Sequence, residues 1–148
     1  MALVNLKTIL EPAEQKRYAV GSFNVINLNF LEAIMEAAVE NNSPVIISIA
    51  EVHLPFVTLE HICPSIIKMA EMYSVPVTLN FDHGMTTEAI KRAIDNGFTS
   101  IMYDGSKLDF AENIEETKKV VELCKPHNIS VEAELGAVGG SEGGELVG

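Results

Sequence analysis

The sequence predicts an α/β chain, the first part of a (β/α)8 TIM barrel, with about four and a half β/α units of the full set. Three observations lead there. Short runs of β-forming residues alternate strictly with segments whose apolar residues recur at helical spacing. Residues 45–49 are continuously apolar, as a strand covered on both faces of a parallel sheet should be. Polar side chains recur where successive strands end, at Asn24, Glu51, Asp82 with His83, Asp104 and Glu134. A barrel gathers those ends into one ring, whereas an open doubly wound sheet concentrates its site at one switch point. No GxGxxG follows the first strand, so nothing in this stretch suggests a dinucleotide site.

Each element has its own reason. Residues 3–15 place Leu3, Leu6, Ile9 and Leu10 on one side of a short helix that Pro12 is expected to end or interrupt. Residues 18–25 read as a strand. Residues 28–41 follow as a helix with Leu31, Ile34, Met35 and Ala38 at i, i+3, i+4 and i+7. The polar run Asn41, Asn42, Ser43 breaks that helix before the strand at 45–49. A helix lies within 58–73, with Ile62, Ile66, Met69, Ala70 and Tyr73 inward. Pro64 implies that it starts near Cys63 or is kinked there. Strand 77–81 runs into Asp82, His83 and Gly84, and helix 87–96 follows with Ile90, Ala93 and Ile94 inward and Gly97 as its C-cap. Strand 99–103 ends in Asp104-Gly-Ser106. Helix 110–125 carries Ile114, Val120, Val121 and Cys124 on its apolar side and a solvated run of Glu and Lys on the other. Residues 129–135 read as a fifth strand, and 136–148 are rich in glycine.

The bulk properties bound the function. A chain of 148 residues, 47% hydrophobic, is long enough for one domain with a real core. It falls short of the roughly 250 residues a complete barrel takes, so residues 1–148 are expected to be the N-terminal part of a single barrel domain. A net charge of −11 repels phosphate backbones, which makes nucleic acid and anionic membranes poor partners. No apolar run reaches the length of a membrane span, and the first 15 residues show no basic flank before an apolar block. Two cysteines, Cys63 and Cys124, lie far apart without a CxxC, which suits buried thiols in a reducing, cytoplasmic setting.

The chemistry centres on Asp82-His83. Neighbouring strand residues point to opposite faces, but at a strand's end the chain is already turning, so both side chains can reach one cleft. The pair also reads as a capping Asp beside a locally packed His. Asp104, Glu134 and Glu142 add further carboxylates. Several carboxylates facing one another in a cleft raise each other's pKa, and a divalent cation resolves that conflict. A histidine with carboxylates suits zinc, with a coordination position left open for substrate. His53, His61 and His127 read as ordinary surface or partly buried histidines, and Glu51 as a solvated loop residue.

The stretches Phe23-Asn-Val25, Asn80-Phe-Asp-His-Gly84, Met102-Tyr-Asp-Gly-Ser106, Glu112-Asn113 and Ser130-Val-Glu-Ala-Glu-Leu-Gly-Ala-Val-Gly-Gly140 occur in that order. Together they resemble the N-terminal half of a class II, metal-dependent ketose-bisphosphate aldolase, the family of the fructose- and tagatose-bisphosphate aldolases. The resemblance implies cleavage and condensation of a ketose 1,6-bisphosphate to dihydroxyacetone phosphate and glyceraldehyde 3-phosphate. It implies His83 as a zinc ligand and Asp82 as the acid/base on the aldehyde-derived oxygen. Asp104 and Glu134 match positions that line the metal site and can hold an alternative or second cation, divalent or monovalent. Glu142 matches the base that takes a proton next to the ketone, and Asn24 an active-site amide that binds substrate. Zinc then serves as the electron sink, so no Schiff-base lysine is needed. The glycines around Glu142 let a loop close over substrate. The family's habit implies a homo-oligomer, dimer or tetramer, for the full-length protein.

The chain departs from that pattern at three places: the family usually has His where Asn80 stands, often Ser where Ala50 stands, and Asp where Gly143 stands. These changes bear on the groups around the metal and on the grip on substrate. The family's remaining zinc histidines and phosphate-binding strand ends correspond to positions beyond residue 148, so the piece alone is expected to be inactive. Two other readings stand beside the aldolase: a catalytically silent relative acting as a structural partner, and another metal-dependent lyase on the same barrel.

Overall fold

The computed structural model describes residues 3–136. Helices and strands alternate as α1 (Leu6–Lys16), β1 (Gly21–Asn24), α2 (Leu28–Glu40), β2 (Val45–Ala50), α3 (Leu59–Met72), β3 (Val77–Gly84), α4 (Thr87–Asp95), β4 (Ser100–Tyr103), α5 (Phe110–Cys124) and β5 (Ser130–Ala133). Short 3-10 turns, Glu51–His53 and Lys125–His127, follow β2 and α5. Every strand pair is parallel. The strands lie in the order β1-β2-β3-β4-β5, each beside its neighbours in sequence. That is the order of a barrel wall; a doubly wound sheet would reverse direction at a switch point.

Capping side chains start three of the helices. Asn5 Oδ1 accepts the Thr8 N–H at 3.1 Å, Asn27 Oδ1 the Phe30 N–H at 3.0 Å, and Thr86 Oγ1 the Ala89 N–H at 3.2 Å. Thr86 thus fills the capping role that Asp82 would have held had it been a simple helix cap.

The two faces of the sheet differ in kind. Toward the helices, Val45, Ile47, Ile49, Leu79, Phe81 and Ile101 pack with Leu31, Met35, Ile62, Ile66 and Ile90 in one buried core. Phe81 meets Phe98 edge to face, with ring centres 5.5 Å apart. The other face, the inner wall of the barrel, carries a tier of small polar side chains. Ser22 and Ser48 share a hydrogen bond at 3.0 Å, and the Asn80 amide donates to Ser48 at 3.3 Å. Ser100 pairs in register with Asn80 and with Ser130.

The N-terminal segment crosses the bottom of the sheet. The Val4 N–H donates to the Val77 carbonyl at 2.9 Å. The Thr99 hydroxyl donates to the Val4 carbonyl at 2.7 Å and accepts the Leu79 N–H at 3.1 Å. Asn5 donates to the Asn128 carbonyl at 3.3 Å. These bonds tie the segment before α1 to β3 and to the turns before β4 and β5.

Several expectations are corrected. Neither proline breaks its helix. α1 passes Pro12 and ends at Lys16, with Arg17 left-handed at φ 58. α3 begins at Leu59, five residues before Pro64, its first turn closed onto the Thr58 carbonyl. Each proline removes one helical donor, and the carbonyls so released belong to exposed residues, Thr8 and Glu60, where water can bond them. On α5 the buried face is Asn113, Val120 and Cys124, while Ile114 and Val121 are exposed. The glycine expected to end α4 does so: Asn96 is the half-helical last residue and Gly97 follows it left-handed at φ 84. β3 continues past Phe81 to Gly84.

Candidate metal centre

The extension of β3 is what builds the site. Phe81 pairs with Ile101 and Gly84 with Tyr103, so three steps along β3 match two along β4. The extra residue is a β-bulge at Asp82-His83. His83 sits in the left-handed region at φ 44, a conformation costing a non-glycine residue roughly 1–2 kcal/mol. Simple alternation would leave His83 facing the helices, opposite Asp82. The bulge instead turns its imidazole along the rim toward β4 and β5.

There His83 Nδ1 lies 3.1 Å from Asp104 Oδ2 and 3.5 Å from Glu134 Oε2. One ligand atom from each of His83, Asp104 and Glu134 falls within 4.8 Å of the others, and all three residues are partly buried. No second group of this kind occurs among the described residues. Two carboxylates this close repel unless a positive charge lies between them, and either an imidazolium or a divalent cation supplies it. One imidazole nitrogen with carboxylate oxygens fits zinc and similar divalent ions, so the residues present suit a metal.

Neighbouring groups fix the carboxylates. Asp104 Oδ1 accepts the Ser106 hydroxyl at 2.6 Å and the Ser106 N–H at 3.1 Å, which leaves Oδ2 for His83. Burial would raise the Asp104 pKa, but these bonds and the one from His83 outweigh it, and the carboxyl titrates below its ordinary value. Glu134 is held through its backbone. The buried Asn113 amide donates to the Glu134 carbonyl at 2.8 Å, and Asn113 Oδ1 accepts the Thr117 hydroxyl at 3.0 Å. A Cβ on Gly105 would collide with that amide, so the loop after β4 passes directly over it.

The remaining candidates are distributed as follows. Asp82 is partly buried and lines a cleft of about 630 Å³ on the inner face, together with Ser22, Asn80, Ser130 and Glu132. Asn24 is exposed at the end of β1. Glu142 and Gly143 lie outside the described residues. His53 is partly buried, its Nδ1 accepting the Ala50 N–H at 3.3 Å, while His61 and His127 are exposed. Glu51 is not a solvated loop residue. Its Oε2 accepts the Met85 and Thr86 N–H groups at 2.6 and 3.1 Å, and its Oε1 accepts the Thr86 hydroxyl at 2.8 Å. Sequence reasoning gave no role to Ser106, Asn113 or Glu51. A serine two residues after an Asp in a turn was a usable signal for the first. For the second the signal was spacing, since Asn113 lies seven and eleven residues before Val120 and Cys124 on one helix face. Glu51 is marked only by its place after β2, and its partners, more than thirty positions away, are not legible locally.

A sequentially ordered parallel sheet with its ionisable groups at the strand C-termini is the architecture of the β/α-barrel enzymes. Comparison with known proteins narrows this. The family model for class II fructose-bisphosphate aldolase matches residues 4–147. A 6-phospho-5-dehydro-2-deoxy-D-gluconate aldolase from Halalkalibacterium halodurans is 45% identical over 151 aligned positions, covering 100% of this chain and 52% of the relative. A fructose-bisphosphate aldolase from Staphylococcus aureus is 44% identical over 148 positions, covering 96% of this chain and 51% of the relative. The crystal structure of the YdjI aldolase from Escherichia coli K12 superposes with a TM-score of 0.86 at 38% identity, covering 90% of this chain and 51% of that one. The chain belongs to the class II fructose-bisphosphate aldolase family. It spans about half the length of the curated relatives it matches, and its five strands correspond to the first part of their barrel.

Proposed function

We propose that this chain supplies the N-terminal half of a zinc-dependent aldolase that cleaves and condenses a ketose 1,6-bisphosphate, fructose or tagatose, through dihydroxyacetone phosphate and glyceraldehyde 3-phosphate. The observation carrying this reading is the meeting of His83, Asp104 and Glu134 at the ends of three consecutive strands. In it, His83, Asp104 and Glu134 hold the cation, which serves as a Lewis acid for the charge that develops on the three-carbon ketone. Asp82, one residue from the metal-site histidine and on the cleft side of the sheet, moves the proton on the aldehyde-derived oxygen. Asn24 binds substrate at the mouth, and Glu142 takes the proton beside the ketone. The active form is a cytoplasmic homo-oligomer.

A second reading, a catalytically silent relative, draws support from Asn80. Its amide nitrogen bonds Ser48, but its Oδ1 is buried without a hydrogen-bond partner among the described residues, on the same face as Asp82 and two residues before it. The test joins this chain to the C-terminal half of the Staphylococcus aureus relative. Under the aldolase reading the folded fusion releases triose phosphate from fructose or tagatose 1,6-bisphosphate, loses that activity with a chelator and regains it with zinc. A folded, zinc-loaded fusion that cleaves neither sugar, nor the phosphorylated deoxygluconate for which the other relative is named, supports the silent reading.

A further inference from the structure

Glu51 follows β2, a strand away from the metal group, yet both its carboxylate oxygens are spent on the turn after β3. The helix that follows already has its own side-chain cap. The N–H groups that a helix start leaves unmet are those of its first residues, and Thr86 Oγ1 already takes the one on Ala89. Glu51 takes the N–H groups of Met85 and Thr86, which precede the helix. Its grip therefore falls on the turn and not on the helical ladder.

That turn starts two residues after His83. On the other side of the rim, the Asp104 N–H donates to the Gly84 carbonyl at 3.0 Å. A Cβ on Gly84 would lie 3.2 Å from the Met102 carbonyl, the Ile90 side chain and the Phe81 ring, so the backbone there is closely packed on three sides. Between these anchors His83 is held at φ 44, a conformation that a free histidine seldom keeps.

We propose that Glu51 is a positioning residue for the metal centre. It does not touch the ion. Its three hydrogen bonds fix the 85–86 turn, so that the strained backbone at His83 keeps the imidazole aimed at Asp104 and Glu134. This rests on the reading of His83, Asp104 and Glu134 as a cation site.

The test is titration of the full chain with Co2+, followed by visible absorption, together with amide exchange at Met85 and Thr86. Glu51→Ala weakens Co2+ binding by about 10- to 100-fold, the range usual for groups that orient a ligand, and speeds exchange at both amides. Glu51→Gln, whose amide can still accept the two N–H groups and donate to the Thr86 oxygen, restores most of the affinity. A purely structural role would lower the melting temperature and leave Co2+ affinity of the folded protein unchanged. If Glu51→Ala does not fold, Glu51→Asp, one methylene too short for all three bonds, decides instead. His83→Ala is the control. Loss of Co2+ binding in His83→Ala with unchanged affinity in the Glu51 variant overturns the positioning role alone. Unchanged affinity in His83→Ala overturns the cation site, and the role of Glu51 with it.

Discussion

At the bottom of the sheet, neutral hydrogen bonds from Thr99, Val4 and Asn5 tie the N-terminal segment to β3 and to the turns before β4 and β5. At the top, an imidazole and two carboxylates crowd together on a left-handed residue inside a bulge. The bottom satisfies its groups with partners of complementary polarity, and its left-handed residue, Asn128 at φ 56, is an asparagine in a turn, which tolerates that conformation well. The top gathers like charges and holds His83 in a conformation it would leave if free. Matched neutral bonds thus lie at one end and crowded charge at the other, a division the barrel permits because its rims are built from separate sets of loops.

The sharpest way to break this contrast is His83→Gly. Glycine removes the imidazole and tolerates the positive φ. Co2+ binding should be lost with the ligand. Relief of the left-handed strain, about 1–2 kcal/mol, is opposed by loss of the bond to Asp104 and by glycine's entropy. His83→Gly should therefore melt above His83→Ala, which loses the same imidazole and keeps the strained φ. A melting temperature for His83→Gly no higher than that of His83→Ala would show that the top is not the strained end. Next is Thr99→Val at the bottom. It leaves the Val4 carbonyl and the Leu79 N–H short of a partner and should cost roughly 1–3 kcal/mol in urea unfolding, with Co2+ affinity unchanged. Asn113→Ala tests a group belonging to both ends of the argument. It frees the Glu134 carbonyl, so about 1 kcal/mol of stability should go, and Co2+ binding should weaken several-fold as Glu134 loosens.

The smallest effect lies outside both rims. Arg92 grips Glu60 with two hydrogen bonds, at 2.7 and 2.6 Å, across α3 and α4. The bond from Arg92 is the main reason that the Glu60 carboxyl falls from 4.5 to about 2. A depressed carboxylate stabilises the fold above its unfolded value and loses that contribution as pH drops from about 4.5 toward 2. Both partners are exposed, so the effect is small and shrinks further in high salt. Glu60→Gln should lower the melting temperature slightly at neutral pH, and its melting curves should converge with those of the parent as pH falls from about 4.5 toward 2.

The alternation of strands and helices was legible because each strand is covered and each helix has one apolar stripe. Leu31, Met35 and Ala38 in α2 fell on the buried face that their spacing required. α5 misled because Asn113, not Ile114, turns inward. Its amide has a backbone carbonyl to bond, and no periodicity rule weighs a partner twenty-one residues away. The prolines misled because the carbonyls that lose a donor to them belong to exposed residues, Thr8 and Glu60. Which residues would gather at the rim was legible for His83, Asp104 and Glu134, since strand ends converge in any barrel. How they gather was not. The bulge that turns His83 is an offset between two strands, and the bonds of Glu51 and Asn113 cross between elements. The two thiols were read correctly as buried, and burial pushes Cys63 up to about 12 and Cys124 to about 11, out of reach of ordinary oxidants in the folded chain.

The hydroxyl and amide tier on the inner wall has a consequence for assembly of the sheet. β2 is apolar along most of its length, and taken alone it could pair one residue out of step almost as well. Ser48 prevents that. A slip by one position would drive its hydroxyl among the aromatic and aliphatic groups beneath the helices and press Ile47 or Ile49 against Ser22 and Asn80. One small residue in a greasy strand therefore works as an alignment key, selecting a single partner register.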